Sequence, residues 1–555
     1  MTRGAALLLV LGVALGVRLA NVRWMAAQPI TEFQYVWGDG DMAMHWQWAG
    51  RIAHGDLLSR EPYPLPPWMQ AIAPFETWQR WRGGNVFFKA PLYPYALAAV
   101  RVVVGEDHRA ILLCHVALGV VNVALLYLLA SRYFDVPIAL TAGLGAALYG
   151  PALLNETLLL RDTLGVTMSL LLLLALSRCT TAARGRWLVA GIAFALALLA
   201  RELVAPFGLC VAFWIWQRFR TPPAVVVHVL GAFALGAALG LVPLVARNLA
   251  VGAPPLAVSA IGPEGILYGH AVDGAPAELK VPAAAAEILR AADGSLIAVL
   301  RGTLATYGGD WWRLLRNEAA RAAAIFSALE GSDNTNWYFY AARSTLLGRA
   351  LRWEIVLALG LVGLWVARRC VRGDDRIVLY YLGVSLIGLQ FTSVVGRYRL
   401  VPAAVLSMYA AVTVVTVLRA LGARDWRAVA GPALASACIY VASTRLLLVP
   451  GVAERCRSTE YLIAAQAAAT RQDAGGMYEA LNGCLECLVT HADAAVLPPT
   501  FAYFARDFLV VAGRLGRTAD AAGALERLRA AYPQDPVLPQ LLARTGGPAS
   551  QPSAP

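Results

Sequence analysis

The chain has 555 residues, 59% of them hydrophobic and only 15% charged, with a mean hydropathy of +0.58. Soluble globular domains sit near half apolar and about a quarter charged, so this composition excludes an ordinary soluble protein and points to a polytopic membrane protein. The net charge of +12 does not call for nucleic acid, because arginines of membrane proteins gather in inward-facing loops, and eight cysteines describe neither a disulfide scaffold nor a metal cage.

The first element is the apolar run "GAALLLVLGVALG" behind Arg3. "MAAQ" at 25–28 has a loose cleavage-site pattern, but Arg18 and Arg23 interrupt the approach to it, so residues 4–22 read as an uncleaved first helix. The polar stretch "GDGDMAMHWQWAG" follows at 38–50, with Asp39 and Asp41 ahead of His45, Trp46 and Trp48. A crossing helix needs roughly 20 mostly apolar residues. Further spans are expected near 109–130, 137–154, 162–177, 187–201, 203–217, 225–246, 351–367, 377–394, 400–418 and 428–449. The fold class is therefore all-α, with about eleven (10–13) transmembrane helices. The run "PLYPYALAAVRVVVG" at 91–105 is short and carries Arg101, which favours a re-entrant or surface-lying piece over a twelfth span.

After about residue 455 the composition becomes that of a soluble, alanine-rich helical segment. "VVAGRLGRTADAAGALERLRAAYPQDP" has the small-residue helix pair and terminal proline of a tetratricopeptide unit, whose period is about 34 residues. One and a half to two units fit, too few for a free-standing solenoid, so the tail is expected to pack on the rest of the chain. Acceptor docking and capping of the outer face both stand as its role. The expected organisation is a membrane domain over 1–450 with outer loops 23–108 and 247–350, a helical domain over 451–545, and a disordered end over 546–555. "CLEC" lacks a second half with ligand spacing, so zinc is not expected; a disulfide from Cys456 to Cys484 or Cys487 remains open in an oxidising compartment.

Orientation follows from arginine. With the N-terminus cytoplasmic, the inner segments are "SRYFDV", "SRCTTAARGRW", "QRFRTP", "ARRCVRGDDR" and "RALGARDWR", each carrying arginine and together showing a basic excess. The odd span count then puts the tail outside. Asp39, Asp41, Lys89, Glu156, Asp162, Arg201, Arg247, Arg397 and Arg399 all fall at outer helix ends or in outer loops. Local accounts exist for some: Arg201 beside Glu202 is a ready pair, and Arg397 or Arg399 can snorkel to headgroups. As a set on one side, they mark a substrate site. Cations suit an anionic phosphate, and a carboxylate suits removal of a hydroxyl proton. Together they describe transfer of a group from a lipid phosphate to an alcohol. Glycine-rich nucleotide-binding motifs are lacking, which favours a lipid-linked donor over a nucleotide sugar.

Several motifs, in order, resemble the C-type integral-membrane glycosyltransferases, the group that includes protein O-mannosyltransferases and the aminoarabinose transferases of lipid A. They are "DMAMHWQWAGRIAHGD", "FFKAPLYPYALA", "NETLLLRDTLGVTMSLLLLLAL", "ALLARE", "VARNLAVGAPPLAVSAIGPEGILYGH" and "GRYRLVPAAVLSMYAA". The resemblance implies a polyprenyl-phosphate sugar donor, a hydroxyl acceptor on a protein, lipid or glycan, and inversion at the anomeric carbon. It implies Asp41 as the base, with Asp39 the less favoured neighbour, and Asp162, or Glu156 before it, as the second acidic position. Lys89 matches a lysine that contacts the lipid phosphate in related enzymes, Arg201, Arg247, Arg397 and Arg399 are phosphate-binding candidates on charge and position, and His45 and Tyr93 are substrate-binding candidates within the matching motifs. Two features depart from the pattern: Met44 and His45 stand where tyrosine is common, and Phe88 precedes Lys89 where the aminoarabinose enzymes have an acid. No cofactor is implied, and a divalent metal is not indicated. Glu330 and Asn334 in "ALEGSDNTNWYFY" are further candidates for substrate contact. The expected location is a bacterial inner membrane, with membrane lipids and no nucleic acid as partners. A lipid-linked oligosaccharide ligase is the alternative enzyme. A lipid-saccharide transporter would need midplane charges and internal repeats, neither of which the sequence has.

Overall fold

Inside a lipid bilayer every backbone N–H and C=O needs a partner within its own segment, so a long apolar run has one solution, the helix. The computed structural model describes residues 1–37, 40–60, 85–277, 281–446, 457–490, 499–536 and 538–543. Helices occupy most of each expected apolar run, from Arg3–Met25 and His108–Tyr133 through Pro223–Ala250 to Leu400–Gly422 and Trp426–Val441, but the run 137–154 breaks into Val136–Ala147 and Gly150–Asn155, and 203–217 is α-helical only from Phe207. Among the described residues there is no strand, only an isolated bridge between Tyr149 and Leu351. Four helical segments (Arg3–Met25, His108–Tyr133, Pro223–Ala250 and Gly396–Gly422) are long and apolar enough to cross a bilayer by themselves. This is a multi-pass membrane protein. Helix starts carry the expected caps, with Asp107 accepting from the Arg109 amide, Asp135 from Ile138 and Asp425 from Ala428.

The ambiguous run at 91–105 forms the helix Leu92–Val104 and packs along the helix Asp41–Ala53. Arg101 explains its amphipathic character: the guanidinium is buried 3.6 Å over the Trp46 ring and donates to the Trp46 carbonyl at 2.6 Å. Gly105, at φ +73, ends the helix where a side chain would be strained.

The spans meet through small residues. A methyl added at Gly363 would sit 1.8 Å from the Tyr409 carbonyl oxygen, so the helices Trp353–Ala367 and Leu400–Gly422 approach backbone to backbone. Charge inside the bundle is paired. Arg18 donates to Glu156 at 2.7 Å with both side chains buried, and Gly119 leaves the room that the Glu156 carboxyl fills.

The chain divides into two compact units. The first comprises residues 1–25, 34–334 and 344–448 and contains all the spans. The second joins 26–33 and 335–343 to the tail from 449 onward. Its core is built by Ala465, Tyr478, Leu481, Cys484, Phe508, Leu525 and Leu528. Within it, buried Glu460 accepts from the Asn336 amide and, at 2.7 Å, from the Tyr340 hydroxyl; burial pushes its carboxyl up to about 7. Asp39, Cys456 and the end 546–555 lie outside the described residues.

The packing predicts a local result. Gly363→Leu should lower folded yield and thermal stability by about 1–3 kcal/mol, the usual cost of overpacking. Gly12→Leu, on an open face of the first helix, should be neutral. Equal stability of the two variants in a detergent melting assay would refute the close crossing.

Candidate active site

Two carboxylates open helices at the same place. Asp41 is the first residue of Asp41–Ala53, and Asp162 the first of Asp162–Ser177. An acid in a first helical turn is favoured by the unpaired amides and positive end of the helix dipole. Arg397, from the 3-10 turn Gly396–Arg399, joins them. Its guanidinium donates to Asp41 Oδ2 at 2.7 Å and to Asp162 Oδ2 at 3.3 Å, and it also pairs with Asp333. Lys89 takes the other Asp41 oxygen, and Arg201 takes the other oxygen of Asp162. Asn334 clamps Asp41 from a further side, its Oδ1 accepting from the Asp41 amide at 2.7 Å and its Nδ2 donating to Oδ2 at 3.2 Å. Arg161 grips both oxygens of Glu202 at 2.9 and 3.0 Å, and Glu202 accepts from the Ala90 amide at 2.6 Å, tying the segment that carries Lys89 to the turn that carries Arg201.

Four cations (Lys89, Arg161, Arg201 and Arg397) thus face four carboxylates (Asp41, Asp162, Glu202 and Asp333) in this network. All of these except Asp162 border a cavity of about 490 Å³. Its remaining walls include Phe88, Leu198, Leu203, Val258, Ile261, Tyr268 and Tyr398, together with Glu264. The lining thus combines paired charges with apolar side chains, a combination suited to an amphiphile.

The environment sets the protonation states. Burial works against charge on Asp41, but Lys89 and Arg397 outweigh it and hold the carboxyl well below the ordinary carboxylate range. Burial brings Lys89 down to about 8, with Asp41 opposing. His45 is buried and pulled down to about 3, so its ring is neutral. Its Nδ1 lies 3.0 Å from the Leu159 carbonyl, which can only accept, so that nitrogen carries the proton.

Asp41, Lys89, Asp162, Arg201 and Arg397 come together from segments up to 356 positions apart. The other sequence candidates lie elsewhere. Glu156 is committed to Arg18. Arg247 donates to the carbonyls of Leu58 and Ser59 at 2.8 and 2.9 Å and to that of Asn85, and lies 3.9 Å over the Phe87 ring. Arg399 is fully buried, donating to the carbonyls of Ser327 at 3.2 Å, Leu329 at 2.7 Å and Ala324. Neither arginine borders the cavity, so neither geometry is that of a phosphate ligand here. The Tyr93 hydroxyl pairs with His115 Nε2 at 3.0 Å, and His45 packs edge-on to the Tyr93 ring, beneath the site rather than in it. Asp333, Arg161 and Glu202 belong to the network although the sequence reading did not assign them a role. Asp333 adjoins Asn334 in a polar island, Arg161 precedes Asp162, and Glu202 follows Arg201, so each had a neighbour as its signal.

Residues 88–243 match the family model described as dolichyl-phosphate-mannose-protein mannosyltransferase. The resemblance to C-type membrane glycosyltransferases holds. That stretch contains Lys89, Asp162 and Arg201. The crystal structure of the Archaeoglobus fulgidus oligosaccharyltransferase in the apo form aligns with 91% of this chain and 59% of its own, at 16% identity and a TM-score of 0.42. The same oligosaccharyltransferase tethered to an acceptor peptide containing the NVT sequon aligns with 87% of this chain and 57% of its own, at 16% identity and a TM-score of 0.39. The chain therefore spans less than two thirds of the length of these structures. A search of curated proteins gives no match.

The Lys89 environment yields a pH prediction. Above about pH 8 the ammonium loses its proton and with it the charge that an anionic ligand would need. Turnover, measured as kcat/KM against pH, should therefore fall on an alkaline limb near that value, and Lys89→Arg should move the limb upward because guanidinium stays charged. A limb unmoved in Lys89→Arg would belong to another group.

Proposed function

We propose that this protein transfers a sugar from a polyprenyl-phosphate donor to a hydroxyl acceptor, by inverting displacement with Asp41 as general base. The observation that supports this most is the shared cavity, in which the Asp41 carboxylate, three cations bonded to Asp41 or Asp162, and apolar walls meet. The acceptor oxygen attacks the anomeric carbon while the bond from that carbon to the phosphate oxygen breaks, its electron pair leaving with the phosphate. Asp41 takes the acceptor proton. The reaction is drawn without a cofactor.

The balanced charge of the network gives a reason for the order of events. A donor phosphate entering the cavity competes with carboxylates for Lys89 and Arg397. As those cations turn toward phosphate, their hold on Asp41 weakens, its proton affinity rises, and it becomes a stronger base at the moment when the donor is in place. Asp162 keeps Arg201 and Arg397 oriented. The same cations then stabilise charge growing on the leaving phosphate, where each such contact is worth on the order of 2–4 kcal/mol.

In this reading the chain crosses a bacterial inner membrane eleven times, with the N-terminus cytoplasmic, the site on the outer face and the tetratricopeptide-like tail outside. The arginine-bearing segments at 131–136, 177–187, 217–222, 367–376 and 419–427 support that orientation. The acceptor is a protein, lipid or glycan.

Asp41→Asn should abolish transfer, assayed with a polyprenyl-phosphate sugar and purified protein, while membrane insertion and abundance stay normal. The amide keeps the shape but cannot accept a proton. Full turnover by Asp41→Asn would remove Asp41 from the mechanism. Topology is tested separately: a reporter fused after residue 455 should read as external and one near Arg372 as cytoplasmic. An internal signal at 455 would overturn the shared outer face.

A further inference from the structure

In the long loop between two spans, the helices Leu296–Ala305 and Trp311–Phe326 follow one another through a short turn. Each buries a narrow face, Val299 and Thr303 on the first and Arg321, Ala324 and Ile325 on the second. Their other faces are exposed and unusually apolar for a loop. Ile297 is 63% exposed, Leu315 57%, Trp311 65% and Trp312 78%, with Leu300 and Leu304 beside them. Arg301, Arg313 and Arg316 are interleaved with these side chains and are likewise exposed. The acidic residue at the turn, Asp310, is engaged in capping, accepting from the Arg313 amide at 2.9 Å.

Where this face lies relative to the bilayer is fixed by its anchor. Arg321 donates to the carbonyl of Gln390 at 3.1 Å and also to that of Thr392, and the Gln390 amide donates to Glu318 Oε2 at 2.8 Å. Gln390 is the last residue of the span Arg376–Gln390. The second helix is therefore tied to the end of the apolar helix Arg376–Gln390, and if that helix spans the bilayer this end meets the headgroups. Leu296–Ala305, with ten residues, is too short to cross, and Trp311–Phe326, with Arg313, Arg316, Asn317, Glu318 and Arg321, is too polar to do so. Exposed tryptophans with arginines, on short helices at that depth, have the composition of an element lying in the interface, with the rings at headgroup level and the guanidinium groups on lipid phosphates.

We infer that the segment 296–326 is a monotopic hairpin seated on the phospholipid leaflet. Leu296, at its start, also walls the 490 Å³ cavity. The lipid-facing surface thus runs into the cavity wall, which makes this hairpin the sill over which a lipid-linked substrate enters sideways from the leaflet. The entry route rests on the transferase reading above; the membrane seat rests only on the reading of Arg376–Gln390 as a span.

The test uses the full chain in nanodiscs of phosphatidylethanolamine and phosphatidylglycerol, with an aromatic photo-cross-linker in place of Ile297 or Trp312. Phospholipid adducts should form at both positions as they do at Leu9 on the first span, and be absent at Glu526, a water-exposed site in the tail. Adducts absent from 297 and 312, with Leu9 positive, would overturn the inference. The double variant Trp311→Ser, Trp312→Ser should raise KM for a long-chain donor by about fivefold or more, in line with lost interfacial area. Its KM for a water-soluble short-chain donor should be unchanged. An equal rise for both donors would overturn the entry route. Lipid adducts in a protein inactive with every donor would leave the seat standing and remove the transferase reading instead.

Discussion

The structure around the cavity depends on Arg397. One guanidinium reaches Asp41 at the start of the helix Asp41–Ala53, Asp162 at the start of Asp162–Ser177 and Asp333 in the polar segment after Phe326. A planar fork with several donors can hold such a cluster, which a single ammonium could not. Removing its charge would leave three carboxylates facing one another in a largely buried place. That cost, rather than the strength of any one pair, is what binds these segments into a single site.

Around that cluster the other buried charges act as scaffolding. Arg399, two residues on, satisfies carbonyls of the segment 324–329 and so holds the approach to Asp333 and Asn334. Arg247 does the same for residues 58–59 and 85, in the loop that brings Lys89 back. Near a membrane, where water is scarce, irregular backbone needs such internal donors. An arginine at an outer helix end can therefore be a ligand or a splint, and its hydrogen-bond partners decide which. A carboxylate partner that a phosphate can replace leaves it available. A set of main-chain carbonyls does not.

Charge balance within the network has a second consequence. Since each cation has a carboxylate partner, the resting site is not an open anion trap, and an anionic ligand must offer more than charge. Apolar walls supply that remainder for an amphiphile.

Much of this was legible in the chain alone. The eleven apolar runs and the arginine-bearing segments between them follow from local rules, because a backbone in hydrocarbon has few alternatives and charge is kept out of it. Asp41, Lys89, Asp162, Arg201 and Arg397 stood out because charge is costly beside a membrane and rarely idle there. What sequence could not decide was partnership. Glu156 and Asp162 lie six residues apart on similar ground, yet one faces Arg18 inside the bundle and the other faces Arg201 and Arg397. Arg397 and Arg399 flank one tyrosine but point to opposite fates. Asp333 gained its role only when its loop met Arg397 across the fold. Electrostatic partnership depends on distances between side chains far apart in sequence, and those distances exist only once the helices have packed.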